Sequence, residues 1–171
     1  METGVWRGGA TVLMRGALAA WGDDDRSVWV ADSFRGLPPP DAEAWPADKG
    51  VDLSGVETLA VSRAEVEASF ARYGLLDSQV RFLEGWFADT LPTAPIGRLA
   101  LLRLDGDLYQ STWEALENLY PKLSVGGILI VDDYGAFEPC RRAVEDYRIK
   151  YEISDEVIPV DWTGIWWQRT R

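Results

Sequence analysis

Carboxylates follow two apolar stretches of the sequence. Leu99–Leu104 leads into Asp105-Gly-Asp107, and Gly127–Val131 leads into Asp132-Asp133. Each stretch has the length and the residue types of a buried β-strand. If the two strands are parallel neighbours, their carboxyl ends share one edge of the sheet, where ligands of open α/β sheets bind. Four acidic side chains are therefore expected to converge there.

Carboxylates held that close repel each other unless a cation or protons intervene. A hard divalent cation such as Mg²⁺ prefers oxygen ligands and commonly keeps some positions for water or substrate. The four acids thus predict a divalent cation site. The alternative is that aspartates at strand ends merely cap the helices that follow, a role that would suffice for Asp107 or Asp133 alone.

A helix must connect these two strands. Ser111–Leu123 has helical apolar spacing and opens with Ser111-x-x-Glu114, the pattern of a capping box. Strand, helix and strand make a βαβ crossover, which produces parallel strands.

The composition excludes several kinds of site. The chain has 171 residues, 28 acids against 17 bases, and no histidine. Its net charge of −11 argues against a nucleic-acid partner, because phosphates need a basic face. With no histidine and the single Cys140, transition-metal sites, histidine-based triads and an internal disulfide are excluded. Without a signal segment or an apolar run of membrane-spanning length, no membrane partner is expected and the predicted compartment is the cytoplasm.

The chain opens with a glycine-rich stretch, Met1–Gly9, followed by a helical pattern over Ala10–Trp21. Such a loop lets backbone N–H groups approach a carboxylate, a phosphate or a ribose. In nucleoside-binding folds the loop follows the first, central strand, yet only Met1 precedes Glu2. We therefore expect one domain, residues 1–171, whose first strand is truncated or missing and which is incomplete at its N-terminus.

Two further strands are predicted before the acidic region. Ser27–Asp32 ends in an acid about two dozen residues after the glycines, the distance at which a carboxylate accepts hydrogen bonds from ribose hydroxyls. The alternative is that Asp32 and Ser33 only form a turn. Val80–Glu84 is followed by the Trp86–Phe87 pair, which could sandwich a purine base or fill the rim of the sheet.

A long segment without periodicity, Leu37–Val61, separates these strands. Loops of this length are usually functional or mobile. Four of its residues could belong to a lid over the site: Asp41, Trp45, Pro46 and Asp52. The alternative is that the segment is an exposed loop without a role at the site.

Helix signals and strand signals complete the fold prediction. Ser62-x-x-Glu65 caps a helix that ends at Gly74, and another helix spans about Glu138 to Tyr151. Val157–Val160 and Ile165–Arg169 predict an antiparallel C-terminal hairpin. The predicted class is α/β, with a mostly parallel sheet and an antiparallel terminal hairpin.

The sequence resembles the macrocin O-methyltransferase family. Five ordered segments carry the resemblance: Met1–Gly9, Val30–Asp41, Arg103–Thr112, Gly126–Tyr134 and Val160–Gly164. The resemblance implies a Rossmann-like class I methyltransferase fold. It also implies an enzyme that uses S-adenosylmethionine and a divalent metal to methylate a sugar hydroxyl on a small-molecule glycoside of the macrolide or aminocoumarin type. Members of the family carry an additional N-terminal segment.

The resemblance implies roles for individual residues. The metal ligands would be Asp105, Asp132 and Asp133. The donor contacts would be Glu2, Thr3 and Gly4 to its amino-acid part, Asp32 and Ser33 to its ribose, and Glu84, Gly85, Trp86 and Phe87 near its adenine. Related catechol methyltransferases place a lysine base three residues after the first metal aspartate, where this chain has Leu108. We therefore expect Asp105 or Asp107 to take the acceptor proton.

Two other interpretations remain open. A nicotinamide-dependent oxidoreductase would share the glycine-rich loop and Asp32 but would not need Asp132-Asp133 beside Asp105. The second interpretation is a weakly active fragment that only binds ligand or dimerises. A sheet without its central strand has unpaired edges, which a partner chain must cover. Nine tryptophans favour a homo-oligomer, most simply a dimer.

Overall fold

The computed structural model describes all 171 residues as one α/β unit. Its strands are β1 (Glu2–Thr3), β2 (Val28–Asp32), β3 (Val80–Glu84), β4 (Leu99–Leu104), β5 (Leu123–Val131), β6 (Ile158–Pro159) and β7 (Ile165–Gln168). Its α-helices are α1 (Gly9–Ala20), α2 (Arg63–Arg72), α3 (Phe87–Thr90), α4 (Tyr109–Leu119) and α5 (Glu138–Lys150). None of the helices is both long and apolar enough to cross a bilayer.

The seven strands form one sheet in the order β3-β2-β1-β4-β5-β7-β6. The pairs among β1 to β5 are parallel, whereas β7 runs antiparallel to both β5 and β6. The predicted class is confirmed: a mostly parallel α/β sheet with an antiparallel C-terminal hairpin. The carboxyl ends of the five parallel strands consequently share one edge.

The central position of the sheet is occupied by β1. Glu2 lies opposite Val30 and Arg103, and Thr3 lies opposite Ala31 and Leu104. The expectation of a missing first strand is corrected to this extent, since two residues fill its place at the carboxyl end. Two residues carry no periodicity, so no sequence pattern could have marked them as a strand.

Two apolar clusters hold the helices on the sheet. The larger packs α4 and α5 against β4, β5 and β7, and the smaller packs α2 against β2 and β3. Val30 belongs to the smaller cluster and its neighbour Ala31 to the larger. Successive side chains of a strand point to opposite faces, so the two clusters cover opposite faces of the sheet.

Helix ends differ from prediction in one informative place. The capping box of α2 is confirmed, with Ser62 and Glu65 bonded reciprocally. The one predicted at Ser111 is wrong, because α4 begins at Tyr109 and the Ser111 hydroxyl donates to the carbonyls of Gly106 and Leu108 instead. The helix therefore takes its cap from elsewhere in the chain.

Candidate active site

A cavity of about 580 Å³ opens at the carboxyl edge of the parallel strands. It is lined by residues that follow the ends of β1 to β4, which is where ligands of open α/β sheets bind. Predicted site residues among them are Gly4, Asp32, Ser33, Gly85, Trp86, Phe87, Asp105 and Asp107.

The glycine turn after β1 depends on close backbone approach. Gly4 has φ of +77°, and a Cβ there would lie 1.8 Å from the backbone oxygen of Asp105. The side chain of Asp32 holds this turn, since its carboxylate accepts hydrogen bonds from Val5 N at 2.7 Å and Phe34 N at 2.8 Å. Burial raises the pKa of Asp32, and those hydrogen bonds oppose the increase. The turn and Asp32 thus form one prearranged unit.

The predicted donor contacts near the glycine turn divide by burial. Glu2 and Thr3 are buried and do not line the cavity, whereas Gly4 does.

After β3, Gly85 has φ of +140°, and a Cβ there would lie 2.7 Å from the methyl carbon of Thr90. Glu84 lies outside the cavity and pairs with Arg63 at 3.4 Å.

Three predicted metal ligands meet beside the cavity. One carboxylate oxygen from each of Asp105, Asp132 and Asp133 lies within 4.8 Å of the other two. Asp105 follows β4, and the other two follow β5. We call these three residues the aspartate triad.

The guanidinium of Arg103 bridges acids on three elements. One of its nitrogens pairs with both Glu2 and Asp105, and the other lies 2.6 Å from Asp132. Arg103 is not among the site residues predicted from the sequence. A signal was available, because residues i and i+2 of a strand share a face, which places Arg103 on the same side as Asp105.

The electrostatics of the aspartate triad fit a cation. Burial, followed by the charges of Asp107 and Asp105, raises the pKa of Asp133 to about 8. Burial also raises the pKa of Glu2 to about 7, with Arg103 opposing the increase. These raised pKa values mean that ionising all the acids together costs free energy even with Arg103 as their counter-charge. Three carboxylate donors are also the ligands that a hard cation such as Mg²⁺ prefers.

Asp107 differs from the aspartate triad in its position. It lines the cavity, and its backbone N–H donates to Asp133 at 3.1 Å. Its φ of +61° lies in the left-handed region, which Asp tolerates better than most residues. Burial, with Asp105 and Asp132 nearby, raises its pKa to about 6. The carboxyl group is therefore held next to the triad but faces the cavity.

The segment 37–61 forms part of the cavity wall. Asp41 lines the cavity together with Leu37 and Leu59. Trp45 instead packs on Tyr109 with ring centroids 5.9 Å apart, and Pro46 begins a 3-10 turn and does not line the cavity. Asp52 is exposed, and its side chain bonds only to Ser54. Of the four predicted lid residues, Asp41 alone reaches the cavity.

Comparisons with known proteins show which family this chain is similar to. The family model described as macrocin-O-methyltransferase (TylF) matches residues 1–169. Demethyldecarbamoylnovobiocin O-methyltransferase of Streptomyces niveus is 58% identical over 172 residues, which are 100% of this chain and 66% of that protein. An 8-demethyl-8-(2,3-dimethoxy-alpha-L-rhamnosyl)-tetracenomycin-C 4'-O-methyltransferase of Streptomyces olivaceus is 57% identical over 173 residues, covering 99% of this chain and 65% of that protein. The chain thus spans about two thirds of the length of these curated relatives.

A solved structure shares the fold closely. The structure of the O-methyltransferase NovP superposes with a TM-score of 0.97 at 58% identity, covering 99% of this chain and 71% of that one. The two chains therefore share this fold over nearly the whole of the present chain.

Proposed function

We propose, because this chain belongs to the macrocin O-methyltransferase family, that it transfers a methyl group from S-adenosylmethionine to a sugar hydroxyl of a natural-product glycoside. The observation that carries the proposal is the aspartate triad beside the cavity, whose wall includes the glycine turn and Asp32. Residues 1–171 would act as one methyltransferase domain.

The donor side of the cavity is the part built on strand ends. Gly4 would face the amino-acid part of S-adenosylmethionine, Asp32 and Ser33 its ribose, and Gly85 to Phe87 its adenine. Within the predicted Glu2–Gly4 set, the exposure of Gly4 to the cavity makes it the best-placed contact. Aromatic rings at Trp86 and Phe87 suit a flat purine.

The aspartate triad would hold a divalent cation such as Mg²⁺, which when bound lowers the pKa of an acceptor hydroxyl. Asp107 would be the base, because it lines the cavity and is not part of the triad, whereas Asp105 is already paired with Arg103. Asp107 would take the hydroxyl proton as the acceptor oxygen attacks the methyl carbon opposite the sulfur. The carbon–sulfur bond breaks as the carbon–oxygen bond forms, and the sulfur keeps the electron pair as S-adenosylhomocysteine leaves.

A nicotinamide-dependent oxidoreductase is less well supported. It would use the glycine turn and Asp32, but the aspartate triad would have no role in hydride transfer. The curated relatives at 58% and 57% identity are named as O-methyltransferases. The geometry and the relatives therefore favour methyl transfer.

The test is a methyl-transfer assay with the acceptor named for the Streptomyces niveus relative. We expect the chain, with S-adenosylmethionine and Mg²⁺, to add one methyl group to demethyldecarbamoylnovobiocin, detected by mass spectrometry. Asp132→Asn should lower the rate at least about tenfold, since altering a metal site typically costs that much affinity. The control Asp52→Asn changes an exposed aspartate that bonds only to Ser54 and should leave the rate unchanged. Calorimetry that shows binding of NAD but not of S-adenosylhomocysteine would contradict the proposal.

A further inference from the structure

We infer that Asp48 is a positioning residue that fixes the acceptor side of the cavity, an inference that rests on the proposed function. Asp48 lies in the middle of segment 37–61 and its side chain is completely buried. No motif in the sequence marks it, and its side chain hydrogen-bonds to the start of α4 and not to a residue assigned to the methyl donor.

Asp48 supplies the missing cap of α4. Its two carboxylate oxygens accept hydrogen bonds from Tyr109 N at 2.6 Å and from Gln110 N at 3.0 Å. The residue at the N-cap position, Leu108, makes no side-chain cap bond. A carboxylate at a helix N-terminus satisfies unpaired N–H groups and interacts favourably with the helix dipole. Here the cap comes from 61 residues earlier in the chain.

Both partners in this contact form the cavity wall. Segment 37–61 contributes Leu37 and Asp41, and the first turns of α4 contribute Gln110 and Glu114. Gln110 Nε2 also donates to the Glu114 carboxylate at 2.8 Å. The hydrogen bonds of Asp48 thus join segment 37–61 to α4, and these two elements form the part of the wall that contains none of the residues assigned to the methyl donor.

Neighbouring contacts restrict the same segment further. Trp45 packs on the Tyr109 ring, and Trp6 Nε1 donates to the carbonyl of Thr58 at 2.8 Å. The segment is therefore tied to α4 on one side and to the glycine-rich loop on the other. Of the three residues that make these contacts, Trp45, Trp6 and Asp48, only Asp48 is a buried ionisable residue.

Loss of the Asp48 carboxylate should act selectively. Two N–H groups at the start of α4 would lose their partners in a buried setting, which is costly. The first turn of α4 would shift, and with it the wall next to Asp107. The glycine turn and the end of β2 are held by Asp32 and not by Asp48, so the donor side should change less.

The experiment measures acceptor and donor binding separately in Asp48→Ala, Asp48→Asn and the control Asp52→Ala. We expect Asp48→Ala to raise the KM for demethyldecarbamoylnovobiocin about tenfold, in line with the loss of a helix cap. Its affinity for S-adenosylhomocysteine, measured by calorimetry, should stay within about twofold of wild type. Asp48→Asn keeps one good acceptor and should recover part of the KM, and Asp52→Ala should match wild type.

The outcomes separate the inference from the proposed function. Wild-type turnover with an unchanged KM in both Asp48 variants would overturn the role of Asp48 and leave the proposed function intact. An equal loss of S-adenosylhomocysteine affinity would show a general structural role and also overturn it. If Asp48→Ala does not fold, Asp48→Asn decides the question by the same two measurements. No methyl transfer by wild type would overturn the proposed function together with this inference.

Discussion

At the scale of single residues, the site is defined by how its acids are paired. Arg103 contacts Glu2, Asp105 and Asp132, but it makes no ion pair with Asp133 or Asp107. These last two acids have the pKa values raised to about 8 and about 6. Arg103 therefore pairs directly with Glu2, Asp105 and Asp132 and leaves Asp133 and Asp107 without an ion pair.

Replacement of Asp107 tests its role as the base. Asp107→Asn should lower the rate of methyl transfer by about 10²- to 10⁴-fold, the usual contribution of a general base, because the amide cannot accept the proton. Affinity for S-adenosylhomocysteine should be unchanged by calorimetry. The control is Asp89→Asn, which removes an exposed charge from the same cavity. Equal losses in both variants would mean that cavity charge, not proton transfer, sets the rate.

Cys140 is expected to be inert. It is 1% exposed in the larger apolar cluster, and burial raises its pKa to about 12. A thiol attacks as its thiolate, so the folded protein should not react with a disulfide reagent at pH 8. The same reagent should titrate one thiol per chain once guanidinium has unfolded it. Rapid labelling of the folded protein would contradict a purely packing role for Cys140.

At the scale of elements, the two helix caps show local and distant solutions to one problem. The capping box of α2 is made within four consecutive residues, whereas α4 is capped by Asp48 from another segment. Both satisfy N–H groups that a helix leaves unpaired at its start. The first is purely structural, and the second joins a helix to the cavity wall.

The cap of α2 allows a stability prediction. Ser62 N donates to the Glu65 carboxylate at 3.0 Å, and the Ser62 hydroxyl accepts from Glu65 N at 3.3 Å. Ser62→Ala should therefore lower the free energy of unfolding by about 1 kcal/mol, measured by urea denaturation. Ser54→Ala, which removes an exposed hydroxyl bonded only to Asp52, is the matched control. A loss of similar size in the control would show that the cap is not the cause.

At the scale of the whole molecule, the parallel sheet is what assembles the site. Strands β1 to β5 bring residues that are far apart in sequence to one edge, and the crossover through α4 places Asp105 beside Asp132 and Asp133. The carboxylates are close enough to repel each other only in the folded state. Any cation that binds them must therefore stabilise the fold.

Magnesium ions should raise the melting temperature of the whole chain. At about 100 times the dissociation constant, binding contributes about 2.7 kcal/mol, which corresponds to about 5–10 °C for a chain of this size. Sodium chloride at the same ionic strength is the control for general screening. Asp132→Asn should remove most of the difference between the two salts in a thermal scan. An identical response of wild type to both salts would contradict a metal site at the triad.

The sequence by itself determined the elements that have a repeating local pattern. Val80–Glu84 and Leu99–Leu104 were predicted with the bounds that the structure gives, and α1 and α5 were predicted to within a residue at each end. The order of strand, helix and strand was enough to bring Asp105, Asp132 and Asp133 together, because a crossover of this kind makes parallel strands with a shared carboxyl edge. Periodicity and connection rules act over short distances in the chain, and these features depend on nothing else.

Only the tertiary structure decided the contacts between distant segments. It gave a two-residue β1 its place in the sheet, paired Arg103 with three acids, and set Asp48 on the start of α4. It also decided that Asp41 reaches the cavity while Asp52 faces solvent. Each of these residues obtains its role from a partner that the packing of the sheet and its helices brings near, and only for Arg103 did the strand alternation offer a partial local signal.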